Sequence, residues 1–256
     1  MNEYIHAAVE AAEEAAKIQT ENSARRTTDH GYKGRRDLVT EIDYRCEKTV
    51  RESLLDEYPD HSVLAEEEGE EGDDSDHRWV IDPLDGTTNY VHGVPHYAVS
   101  VAHEVDGEIR DGVVYHTPTD DVYTASKGDG AYLNGEEISV SSNSELEESV
   151  IATGFSRESV DDEALMSALR TVISESHGVR RMGSAATDLV LVASGVLDGF
   201  YERFLSPWDV AAGSLIVEEA GGTVTDLEGG DSYFGTGDIV ATNTEIHRQV
   251  LDLYEE

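Results

Sequence analysis

At 256 residues the chain is long enough to bury a sizeable core, as one large unit or as two closely packed halves. It carries 55 acidic against 18 basic residues, a formal charge of −37, yet its 38% hydrophobic residues still supply a core. This balance argues against nucleic acid and anionic membranes as partners, and the single Cys46 excludes an intramolecular disulfide or a cysteine metal cluster.

Acid is spread from Glu3 to Glu256, and only Lys17, Lys33, Lys48 and Lys127 are lysines. A disordered acidic chain would lack the regular apolar strands found below. Self-repulsion at this charge is costly in dilute buffer and screened in concentrated salt, so a halophilic source is expected.

In chain order, Ile5, Val9, Ala12 and Ala16 recur at helical spacing and predict a first helix over about Asn2–Asn22. Met1–Lys17 has no apolar core region, so it reads as neither signal peptide nor membrane span, and the expected location is cytoplasmic. Five of the eighteen basic residues, Arg25, Arg26, Lys33, Arg35 and Arg36, fall between Ser23 and Arg36. They read either as a solvated loop balancing nearby acid or as a mobile basic arm that closes on a phosphate. A second helix is predicted from about Asp43 to Tyr58, with Cys46, Val50, Leu54 and Leu55 facing inward.

Ser62–Ala65 reads as a short apolar strand running into Glu66, Glu67 and Glu68, whose side chains alternate faces if the strand continues. Gly69–Asp76 reads as an exposed acidic loop. Trp79–Ile81 reads as a buried strand that stops at Pro83, which lacks an N–H and has a fixed φ. Around that stop stand two carboxylates, Asp82 and Asp85, followed by the amides and hydroxyls of Gly86, Thr87 and Thr88. Carboxylate oxygens suit a hard cation such as Mg²⁺, and free N–H groups after a glycine suit a phosphate oxygen. The alternative is an acidic strand-to-helix turn, since Asp-Pro and Asp-Gly are ordinary turn pairs.

Strands are predicted over Tyr97–Val105, Ile109–Tyr115 and Val122–Ser126, with Asp106-Gly107 as a hairpin turn. Gly128–Gly135 lies among strands with no helix pattern after it and reads as turns, not as a nucleotide loop. The first half is thus an antiparallel sheet with two helices. From Val150 the pattern becomes α/β. Strands are predicted at Val150–Thr153, Gly199–Arg203, Gly222–Asp226 and Ile239–Ala241. Helices are predicted at Asp162–Ser174, Ala186–Ala193, Asp209–Ala220 and Glu245–Tyr254. The expected organisation is a half over 1–145, a half over 146–256, and a site between them. No G-x-S-x-G, H-E-x-x-H, C-x-x-C or P-loop pattern occurs, and the ten histidines show no metal-ligand spacing.

Five segments together, Asp37–Asp43, Ser62–Glu68, the DPLDGTTN block Asp82–Asn89, Arg181–Ala186 and Pro207–Gly222, resemble the inositol monophosphatase family of Mg²⁺-dependent phosphatases, in that family's order. The resemblance runs from the first helix to about Ala241. It implies an α+β fold, a layered α-β-α-β-α sandwich, and a phosphomonoesterase acting by metal-activated water on a small-molecule phosphate ester. It also implies a homodimer.

Carried onto this sequence, Glu66, Asp82 and the carbonyl of Leu84 hold one Mg²⁺, and Asp82, Asp85 and Asp209 hold a second. A third, weaker ion sits near Glu66. Thr87 orients the water with Asp43 as its partner, where Asp43 also suits a helix cap. Gly86 and Thr87 amides hold the phosphate, Gly183, Ser184 and Ala185 line the pocket, and Glu202 accepts from a polyol hydroxyl. Two departures are minor: Ala65 where glycine is more frequent, and Ser184 where threonine is. The family's lysine-bearing loop behaves as the mobile arm of the basic segment above. Thr87-Thr88-Asn89-Tyr90 matches the inositol version of the block, whereas 3′-phosphoadenosine phosphatases have Thr-Lys-Gly there. Fructose 1,6-bisphosphate stays open, with Arg180 and Arg181 as candidates for its second phosphate or as plain surface charges. A non-catalytic metal-binding regulatory protein on the same fold is the remaining alternative.

Overall fold

The computed structural model of the chain describes residues 2–23, 30–34, 37–72, 75–155 and 162–253. The arginines of the basic segment, Arg25, Arg26, Arg35 and Arg36, lie outside the described residues.

Helix α1 (Glu3–Ser23) buries a stripe of Ile5, Ala7, Ala8, Ala11, Ala12, Ala15, Ala16 and Gln19. Alanine dominates that stripe, so the helix lies close against its neighbours. A two-stranded ribbon, β1 (His30–Gly34) and β2 (Asp37–Thr40), leads into α2 (Glu41–Glu57). Thr40 caps α2 and Asp43 at the third helical position returns the bond, a reciprocal box that satisfies two end amides. Strands β3 (Ser62–Ala65), β4 (Gly69–Glu71) and β5 (His77–Asp85) follow, then α3 (Thr87–His92). Next come β6 (Ala98–Val105), β7 (Glu108–His116), β8 (Asp121–Ser126), β9 (Ala131–Leu133) and β10 (Glu136–Glu137). These eight strands form one sheet in the order β10-β9-β8-β7-β6-β5-β3-β4. All its pairs are antiparallel except β3 with β5.

After a 3₁₀ turn at Leu146–Glu148 come β11 (Val150–Thr153), α4 (Glu163–Glu175), β12 (Gly178–Arg180), α5 (Ala185–Ala193), β13 (Gly199–Glu202) and α6 (Pro207–Glu219). The described chain ends with β14 (Thr223–Thr225), α7 (Tyr233–Thr236), β15 (Ile239–Thr242) and α8 (His247–Asp252). Five strands make a second, mixed sheet in the order β12-β11-β13-β15-β14.

Strand alternation sorts the side chains into three cores. Trp79 and Ile81 of β5 join Val101 and Val113 under α1 and α2. Val80 between them faces the other way, with Ala102 and Val114, onto α5 and α6. Those two helices also bury Phe200 and Ala241 of the second sheet, while Tyr201 and Val240 turn to Leu165 of α4 and Val250 of α8. The layers are therefore α1/α2, sheet, α5/α6, sheet, α4/α8, the α+β sandwich expected.

Four local expectations need correcting. The strand does not stop at Pro83: β5 runs to Asp85 because the proline sits in an irregularity where no ladder N–H is needed. Glu66–Glu68 form a turn between β3 and β4, so strand alternation does not govern them. Gly69–Glu71, read as loop, pairs as an edge strand with β3. The Gly128–Gly135 stretch does turn at glycines, but β9 lies inside it. Among the described residues no helix is long and apolar enough to cross a membrane.

Candidate active site

The irregularity in β5 does the first piece of positioning. Asp82 pairs with Ser100 and Asp85 with Ala98, so three steps along β5 match two along β6. In a regular strand residues three apart face opposite sides. The one extra residue turns Asp85 onto the same side as Asp82, toward α5 and α6. Gln19 of α1, fully buried, donates its amide to the Pro83 carbonyl at 2.9 Å and so satisfies the displaced backbone. Asp82 Oδ1 accepts from Leu84 N at 3.0 Å.

Asp209 arrives from α6. Ser206 caps that helix, Pro207 opens it with a preset φ, and Asp209 at the third position accepts from Ser206 N at 2.6 Å. The helix thus begins two residues before the start expected at Asp209. One carboxylate oxygen from each of Asp82, Asp85 and Asp209 lies within 4.8 Å of the others. Burial, then Glu66, Asp85 and Asp209, push the Asp82 carboxyl well above the usual range. Asp85 is pushed up to about 6, again by burial, against hydrogen bonds from Ser184 and the Ala186 amide that favour its charged form. Three carboxylates held this close, two of them buried, fit a hard divalent cation bound through oxygen, whose charge offsets both the loss of solvent and the repulsion on Asp82.

Glu66 stands outside that trio, yet close enough for its charge to act on Asp82. Its turn is folded by α2: buried Glu47 accepts from the amides of Glu67 at 2.7 Å and Glu68 at 2.9 Å. Arg51, 5% exposed, compensates Glu47 at 3.1 Å and also pairs with Glu71.

The helix expected from Asp43 starts at Glu41 with Thr40 as its cap, and Asp43, at the third position, bonds both to that cap and to Thr87. Its Oδ2 accepts from Thr40 N at 2.9 Å in the helix cap, and its Oδ1 accepts from Thr87 Oγ1 at 2.7 Å. Burial raises its pKa against those hydrogen bonds. Thr87 Oγ1 also lies 3.2 Å from the Leu84 carbonyl, which brings that carbonyl to the same spot. Gly86 before it has φ +93°, and a Cβ there would sit 3.0 Å from the His96 carbonyl and 3.3 Å from Ser184 Cβ. Only glycine fits this turn.

The pocket segment is organised around Asp85. Ser184 Oγ donates to Asp85 Oδ2 at 2.6 Å, and the Ala186 amide donates to the same oxygen at 2.7 Å. Ser184 is 1% exposed and Ala185 is buried, so the acid is held from behind by Ser184 and the Ala186 amide. Gly183 before them has φ +86°. Glu202, at the end of β13, is pushed up to about 8 by burial and by Asp209, with Asp188 and Asp85 adding to the rise and Arg181 opposing it.

Sequence reasoning missed three side chains. Asn89 Nδ2 reaches the carbonyls of His96 at 2.7 Å and Met182 at 2.8 Å, strapping α3 to the pocket segment. His96 Nε2 lies 3.0 Å from Asp188 Oδ1, beside Asp85. Asp188 left a readable signal, an acid inside the otherwise apolar helix Ala185–Ala193. The arginine pair divides: Arg181 stacks over Phe155 at 5.4 Å and acts on Glu202, whereas Arg180 is exposed on the edge strand β12.

The sequence matches the model of the inositol monophosphatase family over residues 1–256. It is 45% identical over 226 residues to an inositol-1-monophosphatase of Rhizobium meliloti, covering 87% of this chain and 85% of that one. It is 40% identical over 255 residues to the Nus factor SuhB of Haemophilus influenzae, covering 98% and 96%. The crystal structure of extragenic suppressor protein suhB from Bartonella henselae superposes with a TM-score of 0.96 at 39% identity, covering 100% and 99%.

Proposed function

The chain belongs to the inositol monophosphatase family of metal-dependent phosphatases, and we propose that it hydrolyses the phosphate monoester of a small polyol or sugar, with Mg²⁺ as its ion. The observation that carries this reading is the meeting of Asp82, Asp85 and Asp209 within 4.8 Å, beside the 2.7 Å Thr87–Asp43 pair.

In the proposed reaction Asp82, Asp85, Asp209, Glu66 and the Leu84 carbonyl hold the metal. Once bound, the cation supplies the positive charge that phosphate and hydroxide both require and lowers the pKa of water. Thr87 donates its proton to Asp43 Oδ1, leaving an oxygen lone pair to accept from the attacking water. Asp43, its pKa raised by burial, is suited to take up a proton through Thr87. The amides of Gly86 and Thr87 orient the phosphate, and Glu202 meets the hydroxyls of the alcohol part. Gly183, Ser184 and Ala185 line the pocket, and Ser184 with the Ala186 amide keeps Asp85 in place.

Inositol 1-phosphate and fructose 1,6-bisphosphate both suit this layout. Of the two arginines only Arg181 acts on the site, so any contact with a second phosphate falls to it. A non-catalytic role would leave the Thr87–Asp43 pair without work. The charge of −37 supports two further parts of the reading, operation in concentrated salt and exclusion of nucleic acid.

The deciding experiment is phosphate release in high salt with Mg²⁺ from inositol 1-phosphate, fructose 1,6-bisphosphate and 3′-phosphoadenosine 5′-phosphate. Release from either of the first two, abolished by chelation, supports the proposal. No release from any of the three rejects it. Arg181→Ala then sorts the substrates, with a selective loss in kcat/KM for the bisphosphate if the guanidinium meets its second phosphate.

A further inference from the structure

Far from the acids, the register of the large sheet lines up histidines that are scattered in sequence. β3 lies parallel to β5 with Ser62 opposite Arg78, which sets His61 beside His77. β5 pairs with β6 through Trp79 opposite His103, so His77 and His103 share a face. β6 in turn sets His103 opposite Asp111 of β7. The histidines lack metal-ligand spacing along the sequence, but strand pairing groups three of them in space.

One ring nitrogen from each of His61, His77 and His103 lies within 4.8 Å of the others. His77 Nδ1 is 3.0 Å from His103 Nε2. On its far side His103 Nδ1 is 3.0 Å from Asp111 Oδ2, a contact sealed from solvent. Asp111 is itself fixed by Asn2 and Ser126. That carboxylate holds Nδ1 as the N–H donor and leaves the Nε2 lone pair facing His77. His61 Nδ1 is buried with no hydrogen-bond partner among the described residues. Tyr4 stacks on His103 at 4.2 Å, Tyr58 on His61 at 4.9 Å, and Trp79 lies 4.8 Å from His103.

We propose that His61, His77 and His103 form a second metal site, taking a nitrogen-preferring transition ion with Zn²⁺ as its reference. Ligand nitrogens around tetrahedral Zn²⁺, each about 2.0–2.1 Å from the ion, stand about 3.3–3.4 Å apart. The His77–His103 separation is already within a few tenths of an ångström of that. Asp111 behind His103 supplies the carboxylate–histidine pairing that orients a metal-bound ring. Burial and the neighbouring rings hold His61 down to about 4, so it is an uncharged ligand at neutral pH. The three rings stand within 14° of parallel, so closure on an ion needs both His61 and His77 to rotate and turn their in-plane lone pairs toward one point. His61 is half-buried at the turn before β3, with Tyr58 and His77 stacked on its ring. The site lies at the opposite end of β5 from Asp82, about 16 Å away at about 3.3 Å per residue. Its ion would clasp three strands beneath α1 and α2 and would take no part in hydrolysis.

The test loads the whole protein with excess Mg²⁺, to occupy the oxygen-rich site, and then titrates Zn²⁺ or Co²⁺. Bound metal after desalting, the shift in melting midpoint, and the visible absorption of Co²⁺ are the readouts. The expected result is one equivalent of Zn²⁺, a higher midpoint, and the intense absorption of four-coordinate Co²⁺. Asp82→Asn should retain all three. His77→Gln and His61→Ala should each weaken Zn²⁺ binding at least tenfold, and Asp111→Asn by about 10- to 100-fold. Absence of any Zn²⁺ uptake by the unaltered protein under Mg²⁺ overturns the proposal, whatever the variants do. Uptake that His61→Ala and His77→Gln leave undiminished overturns it as well.

Discussion

Replacing Gly154 with alanine is expected to change catalysis and leave stability nearly alone. Gly154 follows β11 and does not occupy the left-handed region, so its backbone accepts a side chain. A Cβ there would fall 1.8 Å from Glu202 Oε2 and 2.0 Å from Cδ, inside the carboxylate. The obstacle is the free end of a side chain, which swings aside at little energetic expense. If Glu202 meets the substrate alcohol, the swing removes one hydrogen bond to a charged or strongly polarised group, about 1.5–3 kcal/mol. At about 1.4 kcal/mol per decade this is a roughly ten- to hundredfold fall in kcat/KM. Gly112 is the matching control. Its Cβ would lie 2.9 Å from Ala212 O and 3.1 Å from Ala212 Cα, the backbone of α6, which no rotamer change can clear. Gly112→Ala is expected to cost about 1–3 kcal/mol, as overpacking does. Urea unfolding and kcat/KM for inositol 1-phosphate measure both variants. A Gly154→Ala enzyme with unaltered kcat/KM would remove Glu202 from the substrate. A Gly154→Ala protein less stable than Gly112→Ala would refute the steric argument itself.

Asp82→Asn should move activity and stability in opposite directions. It removes a charge that Glu66, Asp85 and Asp209 oppose, so the divalent-free variant should melt higher than the parent while phosphate release nearly disappears; parental turnover with Mg²⁺ would reject the metal assignment. Glu202 should lower the stability of the divalent-free protein as pH rises from about 4.5 to 8, most cleanly above about 6.5 where the histidines no longer titrate. Glu202 has a folded pKa of about 8 against an ordinary 4.5, so the native state binds more protons than the unfolded chain across that window. The slope is then negative and at most about 1.4 kcal/mol per pH unit for this group. Glu202→Gln should flatten it, and an unchanged slope in that variant would mean another group is responsible. Below about pH 6.5 the sign reverses for His116, which burial holds at about 4 when folded. The unfolded chain takes up that proton first, opposing Glu202 down to about pH 4.5, and His116→Gln should raise stability in acid relative to the parent.

The sequence made the layered fold legible because each strand's alternation and each helix's stripe agree with the layer it occupies. Asp43 and Asp209 are legible as site residues through the resemblance, while their capping boxes with Thr40 and Ser206, which start each helix two residues earlier than expected, are not. What the sequence hid depends on register. Pro83 suggested a strand end, and only the pairing with β6 reveals the extra residue that brings Asp82 and Asp85 onto one face. The three histidines lie 16 and 26 positions apart, from His61 to His77 and from His77 to His103. No local spacing rule joins residues that meet through cross-strand pairing. The Asn89 strap and the Asp188–His96 pair were hidden for the same reason, since their partners are fixed by tertiary contact alone.

Two populations of carboxylate coexist in this chain, and they answer to different ions. Most acids among the described residues stand where solvent reaches them, and their mutual repulsion acts over distances that a Debye length of about 8–10 Å at moderate ionic strength, or about 3 Å at 1 M, cuts down. Asp82 and Asp85 are 1% and 8% exposed, and charges so enclosed are screened far less by bulk salt. Only an ion admitted among them relieves their repulsion. KCl and Mg²⁺ should therefore stabilise the protein independently, because their targets are separate and energies of separate sites add to within about 0.3–0.5 kcal/mol. The check is a grid of melting midpoints across KCl, with and without Mg²⁺, on the parent and on Asp82→Asn. The parent should gain from each ion, and the variant should keep the KCl gain while losing most of the Mg²⁺ gain. A midpoint flat in KCl would remove the argument for a high-salt setting. A Mg²⁺ gain that disappears as KCl rises would show both ions acting on the same surface charges, and the buried trio would then not be where Mg²⁺ acts.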